Sequence, residues 1–129
     1  MSSNLEEIIQ HWFESSKDDF DSALKLFDLG KFHHSLFFVH LSLEKLLKGL
    51  FLQRNGRPPS PTHDLVRLAE EAEVLTEDLK SQLAEVSTFN IAARYDDYKL
   101  EFYKKATKEY AQNWIGIAKN ICKQLTLPK

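Results

Sequence analysis

Glycine and proline are scarce in this chain of 129 residues, and their scarcity constrains the fold more than any other feature. There are four residues of each type, and three of the prolines are crowded into positions 58, 59 and 61. Because these residues are the main interrupters of helices, long segments with apolar residues spaced three and four apart remain unbroken. No segment alternates as a strand would. The pattern predicts an all-α protein, an up-and-down bundle of four long helices plus one short helix.

The predicted helices span residues 4–29, 32–53, 63–73, 77–93 and 100–125. Ser3 is the predicted N-cap of the first helix, and Gly30 its terminator. The turn before the second helix is so short that the two helices should form an antiparallel hairpin. Thr62 and Thr76 are predicted to cap the third and fourth helices.

The overall composition is that of a globular protein, and we expect a single domain over residues 1–129. The lone cysteine, Cys122, excludes an internal disulfide and is typical of a reducing cytoplasm. The N-terminus has neither the basic start nor the apolar run of a signal peptide. The longest apolar stretch is interrupted by charged residues, so we expect no membrane span.

Charge is distributed unevenly along the chain, although its net value is only −2. Residues 1–29 carry −5, residues 30–63 carry +4, residues 64–86 carry −5 and residues 99–129 carry +5. Either each helix has its own solvated charged face, or the basic segments form one groove bounded by acidic faces.

The second predicted helix is apolar on nearly every side, yet it contains His40, Glu44, Lys45 and Lys48. Charged groups beside a core need a partner or a function. The spacing aligns His33, His40, Glu44 and Lys48 on one stripe.

The spare apolar face of this helix contains Phe37, Phe38 and Leu41. Either neighbouring helices surround the second helix, or this face meets another subunit. We expect a homodimer.

Three further groups have both a functional and a structural interpretation. The His40–Glu44 spacing can place two metal ligands on one face, but no Glu-x-x-His pair on another helix completes a di-iron site, and we expect no metal and no cofactor. His63 could project into the cleft and bind an anion or a base, or belong to a simple capping segment. Arg94 could hold a phosphate or carboxylate, and Tyr95 could stack on a base. Alternatively, Arg94 is a cation favoured by the helix dipole and Tyr95 lies at the edge of the core.

Common enzyme motifs are absent from the sequence. There is no glycine-rich phosphate loop and no Gly-x-Ser-x-Gly elbow. Cys122 has no histidine near it in sequence, and its interpretation is packing rather than nucleophilic catalysis.

Several short elements, in this order, resemble the HEPN family over nearly the whole chain. Glu44-Lys-Leu-Leu-Lys48, Thr62-His-Asp-Leu65 and Arg94-Tyr95 are the most specific of them. Weaker elements are Trp12, Phe20-Asp-Ser-Ala-Leu24, Gly30-Lys-Phe32, Leu36-Phe-Phe-Val39, Pro58-Pro59, Leu68 and Asn90.

The resemblance implies a four- to five-helix bundle, commonly dimeric, that is associated with nucleotides or RNA. Many members act with a minimal nucleotidyltransferase, often as toxin–antitoxin or stress modules. Ribonuclease members carry an Arg followed four to six residues later by a His at the start of the last long helix. The segment after Arg94 contains no His. Arg57 and His63 have the spacing, but they lie in the proline loop, so the resemblance argues against catalysis.

We therefore expect a non-catalytic HEPN-like domain that binds a nucleotide or short RNA in a basic cleft. The predicted ligand-binding residues are Glu44, Lys45, Lys48, His63, Arg94 and Tyr95. One alternative is a ribonuclease that uses Arg94 with His63 or His40. The other is an interaction protein in which Glu44, Lys45 and Arg94 form a buried structural ion network.

Overall fold

The computed structural model describes the backbone of residues 2–94 and 96–126, and the side chains of residues 4–90 and 98–126. This part of the chain is helical and contains no strand. Its helices are α1 (Ser2–Asp28), α2 (Phe32–Asn55), α3 (Leu65–Glu71), α4 (Glu77–Arg94), α5 (Asp96–Lys105) and α6 (Lys108–Thr126). The predicted all-α bundle is confirmed. Within the described ranges, no helix combines the length and apolarity that crossing a membrane requires.

The first two helices form the predicted antiparallel hairpin. Gly30 ends α1 with a φ of 77°, in the left-handed region that glycine adopts without steric cost. Ser35 Oγ donates a hydrogen bond to Ala23 O at 2.7 Å, and Ser16 Oγ donates to Ser42 O at 2.7 Å. As the residue number rises on one helix it falls on the other, so α1 and α2 pack along their lengths.

Helix α2 lies at the centre of the fold, with α1, α3, α4 and α6 packed around it. Half of its 24 residues are buried, including His40 and Glu44. Neighbouring helices therefore account for most of its apolar surface. Phe37, Phe38 and Leu41 are only half-buried, so the homodimer stays a prediction.

Helix α3 begins two residues later than predicted, and its cap is Asp64 rather than Thr62. Asp64 Oδ1 accepts hydrogen bonds from the backbone N–H of Val66 at 3.0 Å and of Arg67 at 3.3 Å. Thr62 Oγ1 instead accepts from the N–H of Asp64 at 3.1 Å. A carboxylate is a strong acceptor at a helix start. His63 consequently lies in the loop before the helix.

Other helix ends are close to their predicted positions. The backbone of helix α1 begins at Ser2, and the side chain of Ser3, on which the predicted cap depends, lies outside the described residues. Thr76 caps α4 as predicted, since its Oγ1 accepts from the N–H of Leu79 at 3.2 Å. Helix α2 continues to Asn55 and ends at Gly56, whose φ is 68°.

The predicted last helix is divided into α5 and α6 at Ala106–Thr107. Thr107 Oγ1 accepts from the N–H of Tyr110 at 3.2 Å, which starts a new helix. Glu85 of α4 holds this corner: it accepts from Lys105 Nζ at 2.8 Å and from the Tyr110 hydroxyl. Burial and the bond to Glu85 both raise the pKa of Tyr110. Helical periodicity continues across the corner, so it could not reveal the break.

Candidate functional site

Glu44 is the centre of a polar cluster on the otherwise apolar helix α2. Its side chain is 8% exposed. Lys48 Nζ donates to Oε2 at 2.8 Å, and His63 Nδ1 lies 3.0 Å from Oε1 and 3.1 Å from Oε2. His40 Nδ1 lies 3.7 Å from Oε1, which is too long for a hydrogen bond. We call Glu44, Lys48 and His63 the Glu44 cluster.

Glu44 is held in its charged form by its neighbours. Burial by itself raises the pKa of Glu44, because a carboxylate loses solvation in the protein interior. The hydrogen bonds from Lys48 and His63 outweigh this effect, with help from the charge on Lys48, and lower the pKa below its ordinary value. The buried charge of Glu44 is thus compensated by Lys48 and His63.

The loop before α3 brings His63 to Glu44. Glu71 of α3 accepts a hydrogen bond from Ser60 Oγ at 2.8 Å, which fixes the proline-rich loop against the helix. His40 is fully buried, and its Nε2 lies 3.2 Å from the carbonyl oxygen of His63. Because a carbonyl can only accept, His40 donates there and fastens the loop to α2. The imidazole of His63 remains 49% exposed.

Trp12 of α1 forms the other side of the Glu44 cluster. Lys48 Nζ lies 5.9 Å from the centre of the indole ring, within cation–π range, and the Lys48 side chain is only 16% exposed. Trp12 was not among the predicted site residues. The antiparallel hairpin contained the signal, because its register places residue 12 opposite residue 48.

Lys45 is not part of the Glu44 cluster, although it was predicted to line the same cleft as Glu44, Lys48 and His63. Its Nζ lies 2.7 Å from Asp19 Oδ2 and donates to Ser15 Oγ at 2.8 Å. Asp19 is largely buried between α1 and α2. The charge of Lys45 is therefore neutralised in the seam between these helices.

His33, at the far end of the predicted polar stripe, belongs to a different neighbourhood. Its ring is 4.0 Å from that of His34 and 5.0 Å from that of Tyr103 on α5. Burial, followed by the charges of His34 and Lys31, lowers the pKa of His33. The predicted polar stripe is thus divided: His33 packs with His34 and Tyr103 at the start of α2, whereas Glu44 and Lys48 belong to the Glu44 cluster.

Arg94 and Tyr95 complete the predicted site. Arg94 is the last residue of α4, but its side chain and the whole of Tyr95 lie outside the described residues. Of the six predicted ligand-binding residues, the structure brings three together and places Lys45 apart. Arg94 and Tyr95 remain predictions.

The His40–Glu44 spacing that suggested a metal pair serves another purpose in the structure. Glu44 is engaged by Lys48 and His63, and His40 fastens the loop. Among the side chains described, no three His, Cys, Asp or Glu residues are grouped so that they could hold a metal ion.

What the Glu44 cluster offers chemically is a pair of positively charged or protonatable groups oriented by one carboxylate. Lys48 and His63 are 15 residues apart in sequence. They meet at Glu44, where the loop before α3 packs against α2. Lys48 and His63 both supply N–H donors, which suit an anion.

Comparison with protein families gives one match: the HEPN domain model covers residues 9–126. Comparisons with curated proteins and with solved structures give no significant match.

Proposed function

We propose, since this chain belongs to the HEPN family, that it is a non-catalytic member that binds the phosphate groups of a nucleotide or short RNA. The proposed site is the Glu44 cluster together with Arg94 and Tyr95. Lys48, His63 and Arg94 contact phosphate, Tyr95 stacks on a base, and Glu44 orients the cations. Lys45 is not included, because it bonds Asp19 and Ser15 in the seam between α1 and α2, apart from the Glu44 cluster.

The observation that carries this proposal is the convergence of Lys48 and His63 on Glu44. A carboxylate that binds both groups fixes their direction before a ligand arrives, which reduces the entropy lost on binding. The imidazole of His63 is about half exposed, whereas Lys48 is held against Trp12. A phosphate approaching His63 therefore meets a prearranged donor.

The position of helix α4 supports a role for Arg94 at this site. Leu65 N–H donates to Ser87 Oγ of α4 at 3.1 Å, so α4 passes beside the segment that contains His63. Arg94 ends the same helix, seven residues further along, or about 10 Å of helix. Arginine binds phosphate with two parallel hydrogen bonds.

We also propose the setting that the family resemblance suggests. The protein forms a homodimer, works with a minimal nucleotidyltransferase in a toxin–antitoxin or stress module, and is cytoplasmic. Two observations support parts of this setting. Phe37 and Leu41 leave half-covered apolar surface on α2, and Cys122 is a free thiol, as is usual in a reducing compartment.

Calorimetric titration with ATP, AMP and a short RNA tests the proposal. We expect His63→Gln and Arg94→Ala each to weaken binding at least about tenfold, because each removes a charged hydrogen bond worth about 1.5–3 kcal/mol. His11→Gln is the matched control, since His11 is exposed on α1. Affinity should also fall with added NaCl. No binding of any of the three ligands to the wild type contradicts the proposal.

Thermal unfolding of the same variants separates ligand binding from a structural ion network. A ligand-binding Arg94 can be replaced with little change in stability. If Arg94→Ala unfolds the protein, the residue is part of a buried pair, whose disruption costs about 3–5 kcal/mol. That result favours the interaction protein.

One observation favours a second candidate, a ribonuclease with an unusual histidine. The Glu44 carboxylate lies 3.0 Å from His63 Nδ1, a geometry that can orient an imidazole for proton transfer. His40 is fully buried and cannot reach an RNA. Incubation of the short RNA with wild type and His63→Gln decides between the two: cleavage by the wild type alone identifies the enzyme.

A further inference from the structure

A long apolar groove runs between α1 and α6, with α2 as its floor. Its volume is about 1010 Å³. The floor is formed by Ser42, Leu46, Leu50 and Gln53, which recur every three or four residues along one face of α2. We call this the α1–α6 groove. It exists because α1 and α6 both pack on α2 but have little contact with each other.

The walls of the groove are mainly apolar. Helix α1 contributes Phe13, Phe20 and Leu24, and α6 contributes Cys122 and Leu125. Ala72 and Val74, from the turn between α3 and α4, also line it. A ligand that covered these side chains would gain hydrophobic free energy in proportion to the apolar area removed from water.

The two serines at the bottom of the groove already bond each other. Ser16 Oγ donates to Ser42 O at 2.7 Å, and Ser42 Oγ donates to Ser16 O at 2.8 Å. Ser16 and Ser42 therefore present neither donor nor acceptor in need of a partner, and the polar side chain that remains on the floor is the exposed Gln53 at its end. Recognition at the floor depends on apolar contact.

The rim of the groove carries an excess of positive charge. Lys17, Lys119 and Lys123 line it, and none of them forms an ion pair with any side chain that the structure describes. The other two charged lining residues are neutralised: Asp21 pairs with Lys25 at 3.0 Å, and Arg54 with Glu73 at 3.0 Å. A ligand that complements the charge of this rim is therefore acidic.

The shape of the groove matches a helix. Its floor extends from residue 42 to residue 53, or about 16 Å at the rise of an α-helix. Its two walls are helices, so it has the form of the space between neighbours in a bundle. Its volume is at the upper limit of small-molecule pockets, which are roughly 300–1,000 Å³.

We infer that the α1–α6 groove docks an amphipathic helix of about three turns from a partner protein. One face of that helix is apolar, with residues at spacings of three and four, and its flanks carry Asp or Glu opposite Lys17, Lys119 and Lys123. This is the helix-in-groove mode of recognition.

The groove is distinct from the Glu44 cluster. At 3.6 residues per turn, Glu44 and Leu46 lie roughly 200° apart around α2. On α1, Trp12 and Asp19 face the side of the Glu44 cluster and Lys45, whereas Phe13 lines the groove. A partner helix and a nucleotide could therefore occupy opposite sides of the α1–α2 pair at the same time.

A pair of synthetic peptides tests the inference. Both have 14 residues and the same leucine stripe; one carries glutamates on its flanks and the other carries lysines. We expect fluorescence anisotropy to detect binding of the acidic peptide and at least about fivefold weaker binding of the basic one, since two exposed ion pairs contribute about that factor. Failure of the acidic peptide to bind overturns the inference.

Charge-reversed variants of the protein locate the site. Lys119→Glu combined with Lys123→Glu should weaken the acidic peptide about fivefold and strengthen the basic one. The matched control combines Lys104→Glu with Lys108→Glu, which are exposed lysines outside the groove. ATP titration should be unchanged in both, so this test fails or succeeds separately from the nucleotide proposal. Equal loss in the two variants overturns the inference.

The single cysteine reports occupancy of the groove. Burial raises the pKa of Cys122 to about 11, so its alkylation is slow and can be followed by mass spectrometry. We expect the acidic peptide to slow alkylation several-fold. Unchanged alkylation at saturating peptide contradicts docking in the groove. A Leu50→Glu variant that converts a dimer into a monomer would show that a second copy, not a partner helix, fills it.

Discussion

At the scale of single residues, Glu44 joins parts of the chain that are distant in sequence. It bonds Lys48 one helical turn away and His63 in the loop before α3. Because its side chain is 8% exposed, removal of its charge leaves Lys48 close to the interior without a carboxylate. The same contacts therefore orient the proposed ligand-binding groups and stabilise the fold.

Replacement of Glu44 by Gln should lower the free energy of unfolding at pH 7 by about 2–3 kcal/mol. The folded-state pKa of Glu44 lies below its unfolded value of 4.5. Its stabilising contribution is thus complete above pH 4.5 and is lost as the pH falls through the folded-state pKa. Urea unfolding should show the difference between wild type and variant shrinking as the pH falls below 4.5.

The control for this prediction is Asp21→Asn. Asp21 forms an exposed pair with Lys25, and such pairs contribute about 0–1 kcal/mol. If Glu44→Gln lowers the free energy of unfolding as little as the control does, the Glu44 cluster does not stabilise the fold.

At the scale of helices, the close approach of α1 to α2 depends on Gly49. A Cβ atom built at this position would lie 2.6 Å from Phe13 Cε1 and 3.2 Å from Trp12 Cβ. The absence of a side chain lets Trp12 sit beside Lys48. Hence a glycine in the middle of a helix serves packing, at a cost in helix propensity.

Gly49→Ala should destabilise the protein by about 1–2 kcal/mol, because overpacking outweighs the gain in helix propensity. Gly116→Ala is the matched variant on α6: a Cβ added there would meet no atom within 4 Å, so it should stabilise by roughly 0.5–1 kcal/mol. Denaturant unfolding measures both. Stabilisation by Gly49→Ala would show that α1 and α2 are not tightly packed there.

At the scale of the whole molecule, apolar surface remains on both sides of α2. One part is the α1–α6 groove, and the other is the half-buried set of Phe37, Phe38 and Leu41. Partial exposure of three large apolar side chains on one face is typical of an interface. We propose that the groove binds a partner helix and that the second face forms the homodimer interface.

Light scattering should give a mass twice that of the 15.0 kDa chain. Leu41→Glu should reduce it to the monomer, because a charge in an apolar interface is left without a partner. Ile8→Glu is the control, since Ile8 is already 50% exposed on α1. A monomeric wild type at all working concentrations would contradict the homodimer.

Features that depend on residues close together in sequence were predicted, and features that depend on contacts between distant residues were not. The hairpin turn at Gly30 and the cap at Thr76 were predicted, because both depend on neighbouring residues. The break at Thr107 was missed, since apolar periodicity continues through it and Glu85, which holds the corner, is distant in sequence.

The candidate site shows the same division. Glu44, Lys45 and Lys48 were predicted as site residues from charges inside an apolar helix, because desolvation requires partners for them. The sequence could not show that Glu44 takes His63 whereas Lys45 takes Asp19. Adjacent residues on a helix point about 100° apart, so the rotation of α2 against α1 decides each partner.

Helical periodicity, glycine conformation and desolvation are local properties, and they are enough to predict the all-α class, the hairpin and the need of α2 for polar partners. The contact of His63 with Glu44, the position of Trp12 over Lys48 and the groove between α1 and α6 become visible in the folded chain. Those features depend on how the helices rotate and separate when they pack around α2, and packing is a property of the whole chain.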